Sequence, residues 1–140
     1  MWTDTASIVT TASPQALWRL FEDVAGWTRW NAGIERIALN GPFATGSTFD
    51  MQPPGMEAFR STLREVKTNA GFVDETVLED TRFQVSHELQ PLPDGGTRVV
   101  YAIRVEGPEA ATLGPLVTAD FPEVLAALKA LAERDGAEVS

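Results

Sequence analysis

The sequence contains no cysteine and a single histidine. The first absence excludes a disulfide framework and a thiolate nucleophile, and it removes the sulfur ligands of ordinary zinc sites. The second excludes a multi-histidine metal centre within one chain. Basic residues are also scarce, 11 Lys and Arg against 20 Asp and Glu, giving a formal net charge of -9. That long-range field repels phosphate backbones, so no nucleic-acid partner is expected. The N-terminus, Met-Trp-Thr-Asp-Thr, lacks the basic start and apolar run of a secretory signal, and no stretch reads as membrane-spanning. Phosphate-binding glycine loops, nucleophile elbows and dinucleotide fingerprints are missing too; Gly95-Gly96 precedes a strand and not a helix. The expectations are a cytoplasmic protein with no metal, no organic cofactor and no membrane partner.

What is present is a globular composition. Residues 1–140 read as a single domain, with 44% hydrophobic residues and enough aromatic side chains, Trp 4 and Phe 7, to exclude general disorder. Trp2 to Thr11 reads as a first strand. Ser13-Pro14 then supplies an N-cap and a first-turn proline for a helix through about Val24, with Leu17, Leu20, Phe21 and Val24 as its buried stripe. Gly26 to Asn31 reads as a short second helix or turn. Ile34 to Leu39 and Ser47 to Gln52 read as strands joined by a loop with Gly41, Pro42 and Gly46. After Gly107-Pro108 a long helix is expected from Leu113 to about Glu133, ended by Gly136. Pro122 should force a kink or restart there, with Thr118 or Asp120 as cap.

Between Glu57 and Glu106 three turns separate four strands whose side chains alternate. One face carries Phe59, Ser61, Leu63, then Phe72, Asp74, Thr76, Leu78, then Phe83, Val85, His87, Leu89, then Tyr101, Ile103, Val105. The other is rich in Arg60, Arg64, Arg82, Arg98 and Arg104 interleaved with Glu75, Glu79 and Glu88, which reads as a solvated face with cross-strand pairs. The dry face therefore holds a polar quartet: Ser61, Asp74, Thr76 and His87. Loop length fixes register. A turn at Asp80-Thr81 places Asp74 opposite His87, and a turn through Lys67 to Ala70 places Leu63 opposite Asp74 and Ser61 opposite Thr76. A three-residue loop Asp94-Gly95-Gly96 places Ile103 opposite His87 and Tyr101 opposite Leu89. The expected row is Leu63, Asp74, His87, Ile103. An antiparallel sheet with one dry face needs a cover, and the C-terminal helix is the element long enough to provide it.

This order resembles the helix-grip (START-like, SRPBCC) superfamily, which includes lipid-transfer domains, birch-pollen-type allergens and bacterial polyketide cyclase/dehydrase-like proteins. The residues that carry the resemblance are Ala12-Ser13-Pro14-Gln15-Ala16-Leu17-Trp18, Trp27-Thr28-Arg29-Trp30-Asn31, Pro93-Asp94-Gly95-Gly96-Thr97-Arg98-Val99, and the terminal helix ending in Leu-Ala-Glu. The resemblance spans roughly Ala6 to Glu133. It implies an α+β fold in which a curved antiparallel sheet of six to seven strands wraps a long C-terminal helix, with two short helices after the first strand. It also implies an apolar cavity between sheet and helix for a hydrophobic or aromatic small molecule.

Within such a cavity Asp74 can orient His87 and stabilise its cationic form, making a catalytic acid/base pair for enolisation, ring closure or loss of water. The same two residues also read as a buried polar pair satisfying each other. Candidate ligand contacts are Trp30 and Asn31 at the entrance, then Phe59, Ser61, Leu63, Phe72, Thr76, Val85, Leu89, Tyr101 and Ile103 on the sheet, and Phe121 and Leu125 on the helix. Trp18 and Trp27 read as packing, as do Met51 and Met56. Three functions stay open: a cofactor-independent cyclase or dehydratase, a non-catalytic carrier or sensor, and a protein-interaction module resembling chaperone ATPase activators. An edge strand leaves monomer and homodimer equally open.

Overall fold

The computed structural model describes residues 1–139. Seven strands, β1 (Trp2–Thr10), β2 (Arg36–Asn40), β3 (Thr48–Gln52), β4 (Phe59–Lys67), β5 (Gly71–Leu78), β6 (Thr81–Pro91) and β7 (Thr97–Glu106), form one antiparallel sheet. Its order is β1-β7-β6-β5-β4-β3-β2. Helix α1 (Pro14–Glu22) and a 3-10 helix (Val24–Arg29) follow β1; α2 (Ala110–Thr118) and α3 (Phe121–Val139) follow β7. The fold is the α+β helix grip expected from the sequence.

Local chemistry explains the helix boundaries. Ser13 Oγ accepts from the Ala16 N–H at 3.1 Å, and Pro14 opens α1. The helix stops at Glu22, earlier than expected, because Asp23 leaves the helical conformation and the chain tightens into the 3-10 turn. Pro122 restarts the C-terminal helix at Phe121, as its missing N–H requires. Two further expectations are corrected: helical structure begins already at Ala110, and α3 passes through Gly136 to Val139. The stretch Ala110–Asp135 also reaches the length and mean hydropathy, 1.2, of a membrane-crossing segment, contrary to the sequence reading. In this fold its α3 portion is the core helix, burying Phe121, Val124, Leu125, Leu128, Leu131 and Ala132.

All three hairpins of the four-strand unit differ from expectation in turn position. The β5–β6 turn is Glu79-Asp80, with Leu78 opposite Thr81. Glu79 takes the left-handed conformation, φ 55°, and β-branched Thr81 joins the strand and is buried. His87 is therefore opposite Phe72, and Asp74 is opposite Val85. At β6–β7 the three-residue loop is Pro93 to Gly95, with Gly95 at φ 90° and Leu92 bonded to the Gly96 carbonyl. That places His87 opposite Tyr101, Val85 opposite Ile103, and Leu89 opposite Val99. At β4–β5 the loop is one residue shorter than expected and a bulge at Arg64 absorbs the difference, so the expected pairs Leu63–Asp74 and Ser61–Thr76 stand. The two register slips are each of two residues, which preserves which side chains face inward.

The core joins the concave face of the sheet to α1, the 3-10 helix and α3 in one cluster. Leu78, assigned to the dry face, lies at the sheet end and is 45% exposed. A buried strap closes the opposite end, where fully buried Thr97 donates from Oγ1 to the Ala12 carbonyl at 2.8 Å. Thr97→Val strands that carbonyl, and urea titration should show a loss of about 1 kcal/mol. On the convex face Glu75 accepts from Arg64 at 2.9 Å and from Gln84 at 2.8 Å, with Arg82 at 3.8 Å. The expected cross-strand ion pairs thus form at Arg64 and Arg82, and at Arg60 with Asp50, whereas Arg104 pairs with Glu106 on its own strand; the neighbours of Glu75 hold its carboxyl below its usual range.

Candidate functional site

Adjacent strands β5, β6 and β7 bring Asp74, His87 and Tyr101 together on the concave face. His87 and Asp74 are diagonal neighbours: His87 Nε2 lies 3.8 Å from Asp74 Oδ2, with side-chain exposures of 11% and 15%. They touch without forming a hydrogen bond. The other imidazole nitrogen, Nδ1, lies 3.3 Å from the Phe72 carbonyl oxygen. A carbonyl only accepts, so Nδ1 carries the hydrogen and Nε2 presents its lone pair beside Asp74. Gly71 makes this approach possible, because its φ of 147° lets the chain pass where a Cβ would run into the His87 carbonyl oxygen. Gly71→Ala should cost about 3 kcal/mol or more by thermal unfolding, since the backbone must shift to admit the methyl group, and should shift the His87 imidazole resonances in NMR spectra.

Aromatic rings enclose the histidine. Phe72 stacks on His87 with centroids 4.0 Å apart, Tyr101 meets it edge-on at 4.5 Å, and Phe21 approaches at 6.1 Å. Phe121 from α3 packs edge-on against Tyr101 at 5.6 Å. This environment reverses the expected charge state. Burial pushes the Asp74 carboxyl up to about 7 and the His87 imidazole down to about 3, the Phe72 carbonyl offsetting only part of the latter. Loss of hydration outweighs attraction across 3.8 Å, so near neutral pH the histidine is uncharged and the acidic proton belongs to Asp74. Tyr101 is raised well above its ordinary range by burial and then by the charge of Asp74.

Among the described residues two buried polar side-chain atoms have no hydrogen-bond partner, Tyr101 Oη and Trp30 Nε1. Ser61 and Thr76 are satisfied by each other at 2.6 Å. Asn31 does not face the pair with its amide oxygen, which accepts from the Gly33 N–H at 2.9 Å. Leu63 and Val85 flank Asp74 on either side, and Ile103 lies beyond Val85. Leu89 is buried toward the closed end, whereas Phe59, paired with Met51, lies toward the sheet edge. Leu125 is buried on α3. Asp74, Phe83, Val85 and Phe59 keep partial exposure while Leu63, Tyr101 and Ile103 do not, which marks where solvent reaches the concave face. Two open grooves lie elsewhere: one of about 570 Å³ beside β2 and the 3-10 helix, including Thr28, Glu35 and Asp50, and one of about 280 Å³ on the convex face around Ser86 and Ala102.

Three aromatic residues were missed as part of this environment. Phe21 meets Phe72 edge-on at 5.1 Å, Trp27 stacks on Phe72 at 5.5 Å, and Phe43 meets Phe72 at 5.3 Å. Phe21 was legible as a buried helix position. Phe43 was not, since it sits in a loop without periodicity. Trp27 does pack, as expected, and its Nε1 donates to the Phe21 carbonyl at 2.8 Å.

Comparison with known proteins matches residues 1–133 to the family described as polyketide cyclase / dehydrase and lipid transport. No curated protein matches the chain significantly. Among solved structures, a protein from Mesorhizobium loti is 18% identical with a TM-score of 0.80, covering 95% of this chain and 98% of its own. Norcoclaurine synthase from Thalictrum flavum, solved with dopamine and hydroxybenzaldehyde, is 13% identical with a TM-score of 0.75, covering 95% and 87%. A START superfamily protein from Mycobacterium smegmatis is 14% identical with a TM-score of 0.75, covering 94% and 97%. At these identities the likeness is one of fold.

Proposed function

Because the chain belongs to the polyketide cyclase / dehydrase and lipid transport family, we propose that it binds a hydrophobic or aromatic small molecule on the concave face, with its polar end at Asp74, His87 and Tyr101. The observation that carries this reading is the pair of unpartnered buried donors, Tyr101 Oη and Trp30 Nε1. Native interiors pair nearly all such groups, and a bound ligand's acceptors supply the missing partners. The aromatic lining provides the apolar contact, and Val85, Leu63 and Ile103 border the carboxyl. Val85→Phe narrows the approach to Asp74 without removing a polar group. Isothermal titration with neutral aromatic ligands should give saturable binding to the wild type and at least tenfold weaker binding to Val85→Phe. Equal affinity for both proteins contradicts the placement.

A second reading, acid/base catalysis at the same place, is favoured by the uncharged His87 beside the proton-bearing Asp74. Loss of water and aldol-type ring closure both need a proton removed from carbon and another delivered to oxygen. Asp74, with its proton held up to about 7, suits the second task, whereas His87 Nε2, held down to about 3 by burial, serves the first only where bound substrate raises its basicity. Under this reading His87→Ala abolishes turnover and leaves ligand affinity within a few fold. Under the carrier reading wild type shows no turnover.

A further inference from the structure

Among the described residues no cation faces the concave side, and its polar end presents two adjacent acceptors. His87 Nε2 and Asp74 Oδ2 stand 3.8 Å apart at the polar end of the site, a spacing that one nitrogen can bridge with a hydrogen bond to each. Among the described residues all nine arginines are exposed, and the two lysines pair with Glu65 and Glu133 away from this face. Phe72, stacked on the imidazole, and Tyr101, edge-on to it, give the polar end an aromatic wall against which an aromatic scaffold packs. We propose that the ligand is a protonated amine on an aromatic scaffold, its ammonium bridging Asp74 and His87, and that anionic ligands such as free carboxylic acids are rejected. This rests on the binding reading above and specifies the charge class of its ligand.

Carboxylate or phosphate ligands meet only the neutral donors Tyr101 Oη and Trp30 Nε1, with no counter-ion to balance their charge, and Asp74 repels them. A neutral alcohol satisfies one acceptor and leaves the carboxyl protonated. An ammonium alone favours the ionised carboxylate, so its binding displaces the Asp74 proton below neutral pH. The titratable groups facing Asp74 are His87 from β6 and Tyr101 from β7. Strand β4 presents Leu63 and Ser61, and no charge on α1, α2 or α3 contributes to its shift.

Three probes with the same ring and chain separate the charge classes: 2-phenylethylamine, 2-phenylethanol and phenylacetate, titrated calorimetrically into the wild-type chain between pH 5 and pH 8. The expected order is amine, then alcohol, then acid. The amine's affinity should fall close to tenfold per pH unit below about pH 6.5 as the carboxyl regains its proton, and the alcohol's should stay flat. Asp74→Asn, checked for folding by thermal melt, should abolish the amine's preference. Alcohol or acid binding as tightly as the amine, or an amine affinity independent of pH, overturns this proposal while leaving the binding reading intact. If none of the three binds, the amine assignment falls, and the binding reading falls with it only if the protein from its own host also carries no small molecule.

Discussion

Replacing Asp74 by asparagine and His87 by glutamine should tilt the pH dependence of stability in opposite directions. In the folded protein Asp74 keeps its proton up to about pH 7, whereas in the unfolded chain a carboxyl loses it near 3.8. Between those values the folded state holds the extra proton, so this residue's contribution falls as pH rises. His87 behaves inversely: folded it refuses a proton down to about pH 3, while unfolded it takes one near 6.5. Its contribution therefore rises with pH over that window. In the wild type the two nearly cancel between about pH 4 and pH 6.5. Relative to wild type, Asp74→Asn should gain stability with pH at up to about 1.4 kcal/mol per unit. His87→Gln should lose it at a similar rate, for opposite changes on the order of 3 kcal/mol across the window. Urea unfolding at half-unit pH steps measures both. Slopes of reversed sign would mean that the pair is an ion pair, and flat differences would mean that the site is hydrated.

Tyr101→Phe should raise stability and lower ligand affinity together. The hydroxyl is buried without a partner, so folding strips its hydration and returns no hydrogen bond. Removing it keeps the edge-on contacts with His87 and Phe121, because these are made by the ring. The expected gain is about 1–2 kcal/mol, a rise in Tm of several degrees. If the hydroxyl bonds the ligand, the same change weakens binding about tenfold, the worth of one buried hydrogen bond of about 1.4 kcal/mol. Calorimetric unfolding and ligand titration on one preparation give both numbers. A destabilised variant would mean that the hydroxyl already has a partner in the protein.

The sheet's inner and outer faces were legible because alternation depends only on parity, and the two-residue slips at Glu79-Asp80 and Pro93 to Gly95 preserve parity. Opposition across strands was less legible. Asp80 looked like the turn residue, yet Thr81 gains more by joining the strand than Glu79 loses by adopting a positive φ. The bulge at Arg64 left no mark in the alternation used. Asp74 and His87 were expected side by side in one row and meet instead on a diagonal, close enough to touch. Their charge states were misjudged for a different reason. The sequence displays the two partners but not the ring of Phe21, Phe72 and Tyr101 that removes water from them. Of the entrance pair, Trp30 leaves a buried donor free, and Asn31 turns its oxygen onto its own loop.

The central claim is that the concave face at Asp74, His87 and Tyr101 holds a small molecule. Native mass spectrometry of the protein purified from its own host tests it most directly, with Val85→Phe prepared in parallel. The account predicts a wild-type species heavier than the chain by one small-molecule mass, lost on denaturation and depleted in the variant. Wild-type protein running at the bare chain mass, or an adduct equally abundant in Val85→Phe, would contradict it.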